Sequence, residues 1–286
     1  MASHPAMYPT MYPAIFSRTY PSQQVTEVLQ AIHADGFRGA QMNLSSFGMS
    51  SLPDRLDEAT LAEGRSEAAR LGLTMAALSG TYNMAHPDEA VRRSDRPRFI
   101  NVLRAARAIG APIVTLCTGT RHPIDKWAAH PGNNSAAAWA DLRVELDWAL
   151  NEAAAHGLML AVEPEPGNVV RDAAVARRLL DEVGADHLRI ILDAANLIGL
   201  PGLDRQADIV AQAVDLLGPS VVLAHAKDID PTGRVVAPGQ GAIDLPAFVS
   251  ALVAAGFTGP LVGHGFEVDD TALAGRVLGD LCRIRP

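Results

Sequence analysis

A single (β/α)8 TIM barrel is the fold class this chain predicts, and three observations predict it. The first is a repeated unit of short apolar run, polar loop, amphipathic stretch and glycine, met along the whole chain. The second is the glycine punctuation. Gly36, Gly72, Gly110, Gly157, Gly184, Gly218 and Gly256 each follow a helical pattern and precede an apolar run. Glycine is favoured just past a helix end, where positive φ is often needed. The third is length: 286 residues suit one barrel, which commonly takes about 250. Strands alternating with helices imply parallel pairing and right-handed crossovers. An open doubly wound sheet is the competing architecture, but no Gly-x-Gly-x-x-Gly stands between a strand and a helix to support it.

Taken in order, the predicted strands are Ala14–Ser17, Gly39–Met42, Thr74–Leu78, Ile113–Cys117, Met159–Glu163, Arg189–Leu192, Val221–His225 and Leu261–His264. Each is a run of about four to six residues bounded by turn formers, as buried parallel strands are. Helices are expected to start near Gln24, Asp57, Pro97, Ala136, Asp172, Arg205 and Leu245, with an eighth near Asp270. Asp244 and Ser22 are suited to cap two of them. No low-complexity segment or linker divides the chain, so residues 1–286 read as one domain. Two long polar loops, Thr118 to Asn134 and Asp228 to Asp244, follow the fourth and seventh strands. Both are expected at the C-terminal mouth, where such barrels build their sites.

Composition narrows the function. The chain is 48% hydrophobic and 20% charged, an ordinary globular balance, with a net charge of −8. An acidic chain is poorly matched to a phosphate backbone, so nucleic acid is not expected as a partner. Cys117 and Cys282 are the only cysteines, too few for a disulfide framework or a Cys-x-x-Cys site. The start, Met1-Ala2-Ser3-His4-Pro5, has no basic region followed by an apolar one, and no apolar run nears the roughly 18 residues of a membrane span. A cytoplasmic protein with no membrane partner is the expectation.

The densest stretch is Leu158-Met159-Leu160-Ala161-Val162-Glu163-Pro164-Glu165-Pro166-Gly167-Asn168. Proline cannot continue a central ladder, so the strand stops near Pro164 and Glu163 sits at its C-terminal end. The same design returns at Asp193, His225 and His264, each closing a short apolar run. In a barrel these ends converge on one mouth. Two carboxylates and two imidazoles, with no thiolate, suit one divalent ion: Mn2+, Mg2+, Co2+ or Zn2+. Singly, each residue has an ordinary structural reading, as a loop acceptor or a satisfied core histidine. Together at four strand ends they point to a shared metal site.

Proton removal beside a carbonyl is chemistry that such a site serves. A divalent ion polarises the carbonyl, and a carboxylate or imidazole takes the proton. Glu163 is the first candidate base and His264 the second. Lys227, two residues beyond His225, would face the same side and stabilise an oxyanion or bind a phosphate, or else pair with Asp228 or Glu165. Glu165, Asn43 and Arg18 are candidates for substrate hydroxyls. No dense basic cluster marks a phosphate site, which favours a non-phosphorylated substrate.

Several short pieces resemble the xylose isomerase-like barrels, the superfamily of sugar phosphate isomerases and epimerases. They are Ala161-Val162-Glu163-Pro164, Leu192-Asp193-Ala194-Ala195-Asn196, Ala224-His225-Ala226-Lys227-Asp228, Gly239-Gln240-Gly241-Ala242-Ile243-Asp244 and Gly256-Phe257-Thr258-Gly259-Pro260-Leu261. The resemblance covers most of the chain and is densest from Leu158 onward. It implies that Glu163, Asp193 and His225 hold a divalent cation. Asn196 stands where many members have a substrate-contacting or metal-binding histidine. His264 stands where the family normally has a fourth ligand, a glutamate. In the ketose 3-epimerases that pair of glutamates works from opposite faces of the sugar, so their two-base mechanism does not carry over intact. Glu267, three residues on, could swing in to replace the missing acid, but nothing in the sequence places it there. The resemblance also implies a homo-oligomer.

The function expected is therefore a metal-dependent isomerase or epimerase of a sugar or related polyol. A dehydratase or lyase of a keto-polyol on the same barrel is the near alternative, as inosose dehydratase and dehydroshikimate dehydratase are. A sugar-binding barrel without metal is the non-catalytic alternative. The endonuclease branch of the superfamily fits poorly, because Asn196 and His264 depart from its three-metal ligand set.

Overall fold

The structure is a computed structural model and describes residues 10–184 and 186–285. The stretch Met1-Ala2-Ser3-His4-Pro5, considered above for a signal sequence, lies outside them. Eight parallel strands close into a barrel: β1 (Tyr12–Phe16), β2 (Gly39–Met42), β3 (Thr74–Ser79), β4 (Ile113–Cys117), β5 (Met159–Glu163), β6 (Leu188–Asp193), β7 (Val221–His225) and β10 (Pro260–Gly263). β1 pairs with both β2 and β10, which closes the ring and leaves no sheet edge, so the open doubly wound sheet is excluded. A two-stranded ribbon, β8 (Asp228–Ile229) with β9 (Val235–Val236), lies in the loop after β7.

Helices α1 (Val25–Ala34), α2 (Glu58–Leu71), α3 (Glu89–Ile109), α4 (Ala136–Ala155), α5 (Ala173–Val183), α6 (Ala194–Ile198), α7 (Gln206–Leu217), α8 (Leu245–Ala254) and α9 (Thr271–Leu281) alternate with the strands. Six of the seven glycine stops have positive φ; Gly218 does not, because it opens a 3-10 turn at φ −42. α3 starts at Glu89 rather than near Pro97, because Asp88 supplies the cap by accepting from Ala90 N at 2.8 Å. Pro97 therefore lies inside the helix. Asp244 caps α8 as expected, whereas Ser22 does not cap α1: its hydroxyl accepts from Gln24 N and donates to Glu27. No helix among the described residues is long and apolar enough to cross a membrane.

Side-chain alternation along the strands positions the site. On β5, Leu160 and Val162 join the large apolar layer between strands and helices, while Ala161 belongs to the small cluster inside the barrel. Burying each large side chain of the outer layer contributes about 1.5–3 kcal/mol. Inside, Ala14, Ala76, Ala77, Ala161, Ile191, Leu223 and Val262 fill the barrel. One step further along the inward face come Phe16, Cys117, Glu163, Asp193, His225 and His264. Period-two alternation therefore delivers all six to the C-terminal end.

Candidate functional site

At that end lies a cavity of about 610 Å3. Glu163 and His225 line it, and Asp193 is buried beside them, with one potential ligand atom from each of the three all within 4.8 Å of one another. Registers of Asp193 with His225 and of Cys117 with Glu163 fix these strand ends at one level. His225 Nδ1 lies 3.2 Å from Glu163 Oε1 and 3.6 Å from Asp193 Oδ2. All three residues are buried, with His225 and Asp193 each only 1% exposed. Burial pulls the imidazole pKa down, but the charges of Glu163 and Asp193 overcome this and raise it to about 9. Burial likewise opposes ionisation of Glu163, and the His225 charge outweighs it, holding that carboxyl below its ordinary value. For Asp193, burial is overcome chiefly by Lys227, and its carboxyl is also held low.

Lys227 takes the position expected from its spacing, although β7 has ended. Its Nζ is 3.2 Å from Asp193 Oδ2 and donates to Asn196 Oδ1 at 2.6 Å. Its ion pair is with Asp193 rather than with Asp228. Asp228 turns away and accepts backbone N–H bonds from Ile229, Gly239, Gly241 and Ile243, closing its own loop. Gly241 is required there, since a Cβ would run into Asp228 Oδ1 and the Ile229 carbonyl.

Asn196 ties the cluster together. Its Nδ2 donates to Glu163 Oε1 at 2.9 Å and to Glu165 Oε2 at 2.7 Å, and its backbone N–H donates to Asp193 Oδ1 at 2.9 Å. Glu165 lines the cavity, and burial followed by the nearby Glu163 charge raises its pKa to about 6. Asn43 and Arg18 also line the cavity. Asn43 uses its Oδ1 to accept from Ser45 N and Ser51 Oγ. Cys117 is both buried and in the cavity wall, its Sγ 3.9 Å from Glu163 Oε2.

His264 stands one residue past β10 and is not within the three-residue cluster. Its ring lies between two others, stacked on His225 at 5.0 Å and on Phe16 at 5.1 Å. Burial and the neighbouring His225 charge lower its pKa to about 4, so it is neutral at pH 7, and its Nδ1 has no hydrogen-bond partner. Glu267 is exposed and outside the cavity; Phe266 lines it instead. Of the long loop after β4, Lys126 and Trp127 reach the cavity.

The sequence reading missed Gln41. This buried residue accepts at Oε1 from His225 Nε2 at 2.8 Å and donates at Nε2 to Thr115 Oγ1 at 3.2 Å. A raised pKa makes His225 an imidazolium with an N–H on both ring nitrogens, so the Gln41 oxygen must face it. The signal was present: a polar residue in the inward-facing third position of an otherwise apolar strand.

The donor set fits a divalent ion. Two carboxylates and an imidazole converge, Asp193 Oδ2 is met only by the ion-pair contacts of Lys227 and His225, and Gln41 holds the far nitrogen protonated, leaving Nδ1 for a cation. A family model described as xylose isomerase-like TIM barrel matches residues 29–276. The chain belongs to the xylose isomerase-like TIM barrel family.

Solved structures agree on the fold. The chain is 20% identical to a 3-keto-D-glucoside 4-epimerase from E. coli, with a TM-score of 0.73, covering 96% of this chain and 99% of that one. It is 18% identical to an IolI protein crystallised with a zinc atom, with a TM-score of 0.72 and coverage of 96% and 98%. It also matches a xylose isomerase-like TIM barrel/4-hydroxyphenylpyruvate dioxygenase fusion protein at 17% identity and a TM-score of 0.71, spanning 93% of this chain but 42% of that one. No curated protein sequence matches the chain significantly.

Proposed function

We propose that this barrel is a divalent-metal-dependent isomerase or epimerase acting on a sugar or related polyol by proton abstraction next to a carbonyl. The observation that carries the reading is the convergence of Glu163, Asp193 and His225, two of which line a cavity large enough for a sugar. Glu163, Asp193 and His225 would hold the ion, with His264 the nearest further imidazole. The ion would supply Lewis-acid polarisation of the substrate carbonyl.

The remaining work falls to the chain's own groups. Glu163 is placed to take the proton, because its Oε2 meets only the weak Cys117 thiol while Oε1 is held by Asn196 and His225. Lys227, drawn to this side by Asp193, stabilises the oxyanion that develops. Glu165 and Asn43 are placed to bind hydroxyls. Asn196 orients both glutamates. His264, neutral and with a free Nδ1, is the second base in this reading.

One observation favours a second reading. Among the described residues the only acids lining the cavity are Glu163, at the end of β5, and Glu165 just past it. A carboxylate base on each face of the substrate is therefore lacking. Proton removal by Glu163 followed by loss of a β-hydroxyl, as in a keto-polyol dehydratase, needs acid and base groups on one side only. Elemental analysis of wild type and Asp193→Ala tests the common core. About one divalent ion per wild-type chain, lost in the variant, is expected. A wild type that takes up no Mn2+, Mg2+, Co2+ or Zn2+ would sink the proposal and leave a sugar-binding barrel. A polyol panel followed in heavy water then separates the two chemistries. Deuterium at carbon without loss of water marks isomerisation, and a dehydrated product marks elimination.

A further inference from the structure

The cavity mouth has two unlike halves. Over β5 to β7 lie the three clustered residues, with Lys227 held by Asp193. Over β1 to β4 lie two cations far apart in sequence: Arg18, just past β1, and Lys126, in the loop after β4. Both line the cavity, and among the described residues neither has a carboxylate within ion-pair distance, although the charge of Asp95 reaches Lys126. Arg18 makes no hydrogen bond or ion pair among the described residues. Lys126 Nζ has one hydrogen bond, to the Thr81 carbonyl at 3.1 Å, and lies 5.4 Å from the Trp127 ring centre. Lys126 is half-buried; burial pushes its ammonium pKa down, Cys117 and Asp95 oppose that, and the Arg18 guanidinium adds a smaller push in the same direction as burial.

That arrangement is unusual on a chain of net charge −8. Several arginines elsewhere are paired: Arg96 with Glu145, Arg121 and Arg92 with Asp141, Arg143 and Arg178 with Glu182. The carboxylates across the cavity form no ion pair with the two rim cations; Glu163 and Glu165 are turned instead to His225 and Asn196. Holding a half-buried ammonium beside a guanidinium, with Asp95 the one acid whose charge reaches the ammonium and none in contact with either cation, costs free energy, and a ligand carrying negative charge would offset it. A neutral polyol would not.

We infer that Arg18 and Lys126 form an anion subsite, and that the substrate is a sugar or polyol bearing a carboxylate or phosphate. The acid end sits over β1 to β4 while the carbonyl end reaches Glu163. This rests on the sugar-enzyme reading above for the identity of the remainder of the ligand. The subsite itself stands on the two cations alone.

Calorimetric titrations of the full chain at low salt, with and without Mn2+, provide the test. The probes are matched pairs: glucuronate and glucose, ribose 5-phosphate and ribose. At least one anionic probe is expected to bind about tenfold or more tightly than its neutral partner, a preference that falls with added salt. Which pair shows it separates carboxylate from phosphate. In the Arg18→Gln, Lys126→Gln double variant the two partners should bind alike, with the metal content of the protein unchanged. Asp193→Ala should keep the preference while losing the metal. Anionic probes that bind no tighter than neutral ones, including the case in which none binds even at high millimolar concentration, would overturn the inference. So would a preference that survives the double variant. A wild type that prefers anions but takes up no metal would defeat the metalloenzyme reading and leave the subsite standing.

Discussion

Gln41→Leu separates a positioning role from a merely structural one. The substitution keeps a side chain of similar size in a buried position but removes the acceptor 2.8 Å from His225 Nε2. In the metal-free protein His225 is an imidazolium, with a pKa raised to about 9 by Glu163 and Asp193 against the pull of burial. A hydrogen bond to a charged group contributes about 1.5–3 kcal/mol, and the buried N–H left behind has no other partner. For a chain this long, that loss lowers the melting temperature by roughly 5 °C. The second consequence concerns the ion. Without Gln41, nothing keeps the proton on Nε2, so the neutral ring is free to put its proton on Nδ1, the atom facing the carboxylates. An outer partner of a ligating histidine typically changes metal affinity by about 10- to 100-fold. Competition with a chelating dye measures that affinity, and Gln41→Glu, which restores an acceptor, should recover it. A Gln41→Leu protein that is destabilised yet binds metal as tightly as wild type would refute the tautomer argument and leave Gln41 a packing residue.

Two further outcomes follow from the same cluster and the loop beside it. The metal-free protein should lose stability in alkali. The folded pKa of His225, about 9, lies above its ordinary 6.5, so the stability it contributes is complete below pH 6.5 and disappears as pH rises through 9. The loss is about 3 kcal/mol, from about 1.4 kcal/mol per pH unit. Urea midpoints between pH 6 and 9.5 should fall accordingly, and metal loading should flatten the dependence; a midpoint that rises over this range would contradict the assignment. Asp228→Ala should cost at least about 3 kcal/mol in urea unfolding, because it strands the N–H groups of Ile229, Gly239, Gly241 and Ile243. A loss no larger than at an exposed position would show that water satisfies them.

The barrel was legible because its signals are local. Short apolar runs, glycine stops and period-two alternation specify each strand and its inward face without reference to partners. That is why Glu163, Asp193 and His225 were readable at strand ends. α3 was misplaced for a related reason: Pro97 is a strong local start signal, yet the cap at Asp88 nucleates the helix earlier and the interior proline is tolerated. What the sequence could not reveal are the long-range partnerships. The register of β2 against β3 and β1 decides that Gln41 meets His225, and nothing in Gly39-Ala40-Gln41-Met42 specifies it. Asn196 was readable as a site residue, but its bonds to Glu163, Glu165 and Lys227 join three separate segments. Arg18 and Lys126 show the same limit. Linear inspection found no basic cluster because barrel closure, not sequence spacing, brings both to one mouth.

The histidine at the end of β10 belongs to this electrostatic pattern. A carboxylate at that position would add negative charge beside Glu163 and Asp193. His264 adds none, because burial and the neighbouring His225 keep it neutral above about pH 4. Its ring instead fills the space between Phe16 and His225, extending an apolar stack towards the Arg18 side of the mouth. Negative charge in the cavity wall thereby stays on the β5 side, where Lys227 and His225 oppose it, and the field of Arg18 and Lys126 over β1 to β4 meets less competition there. The strand-end histidine and the unpaired rim cations thus act in one direction. Both make the mouth more favourable to a ligand that brings its own negative charge.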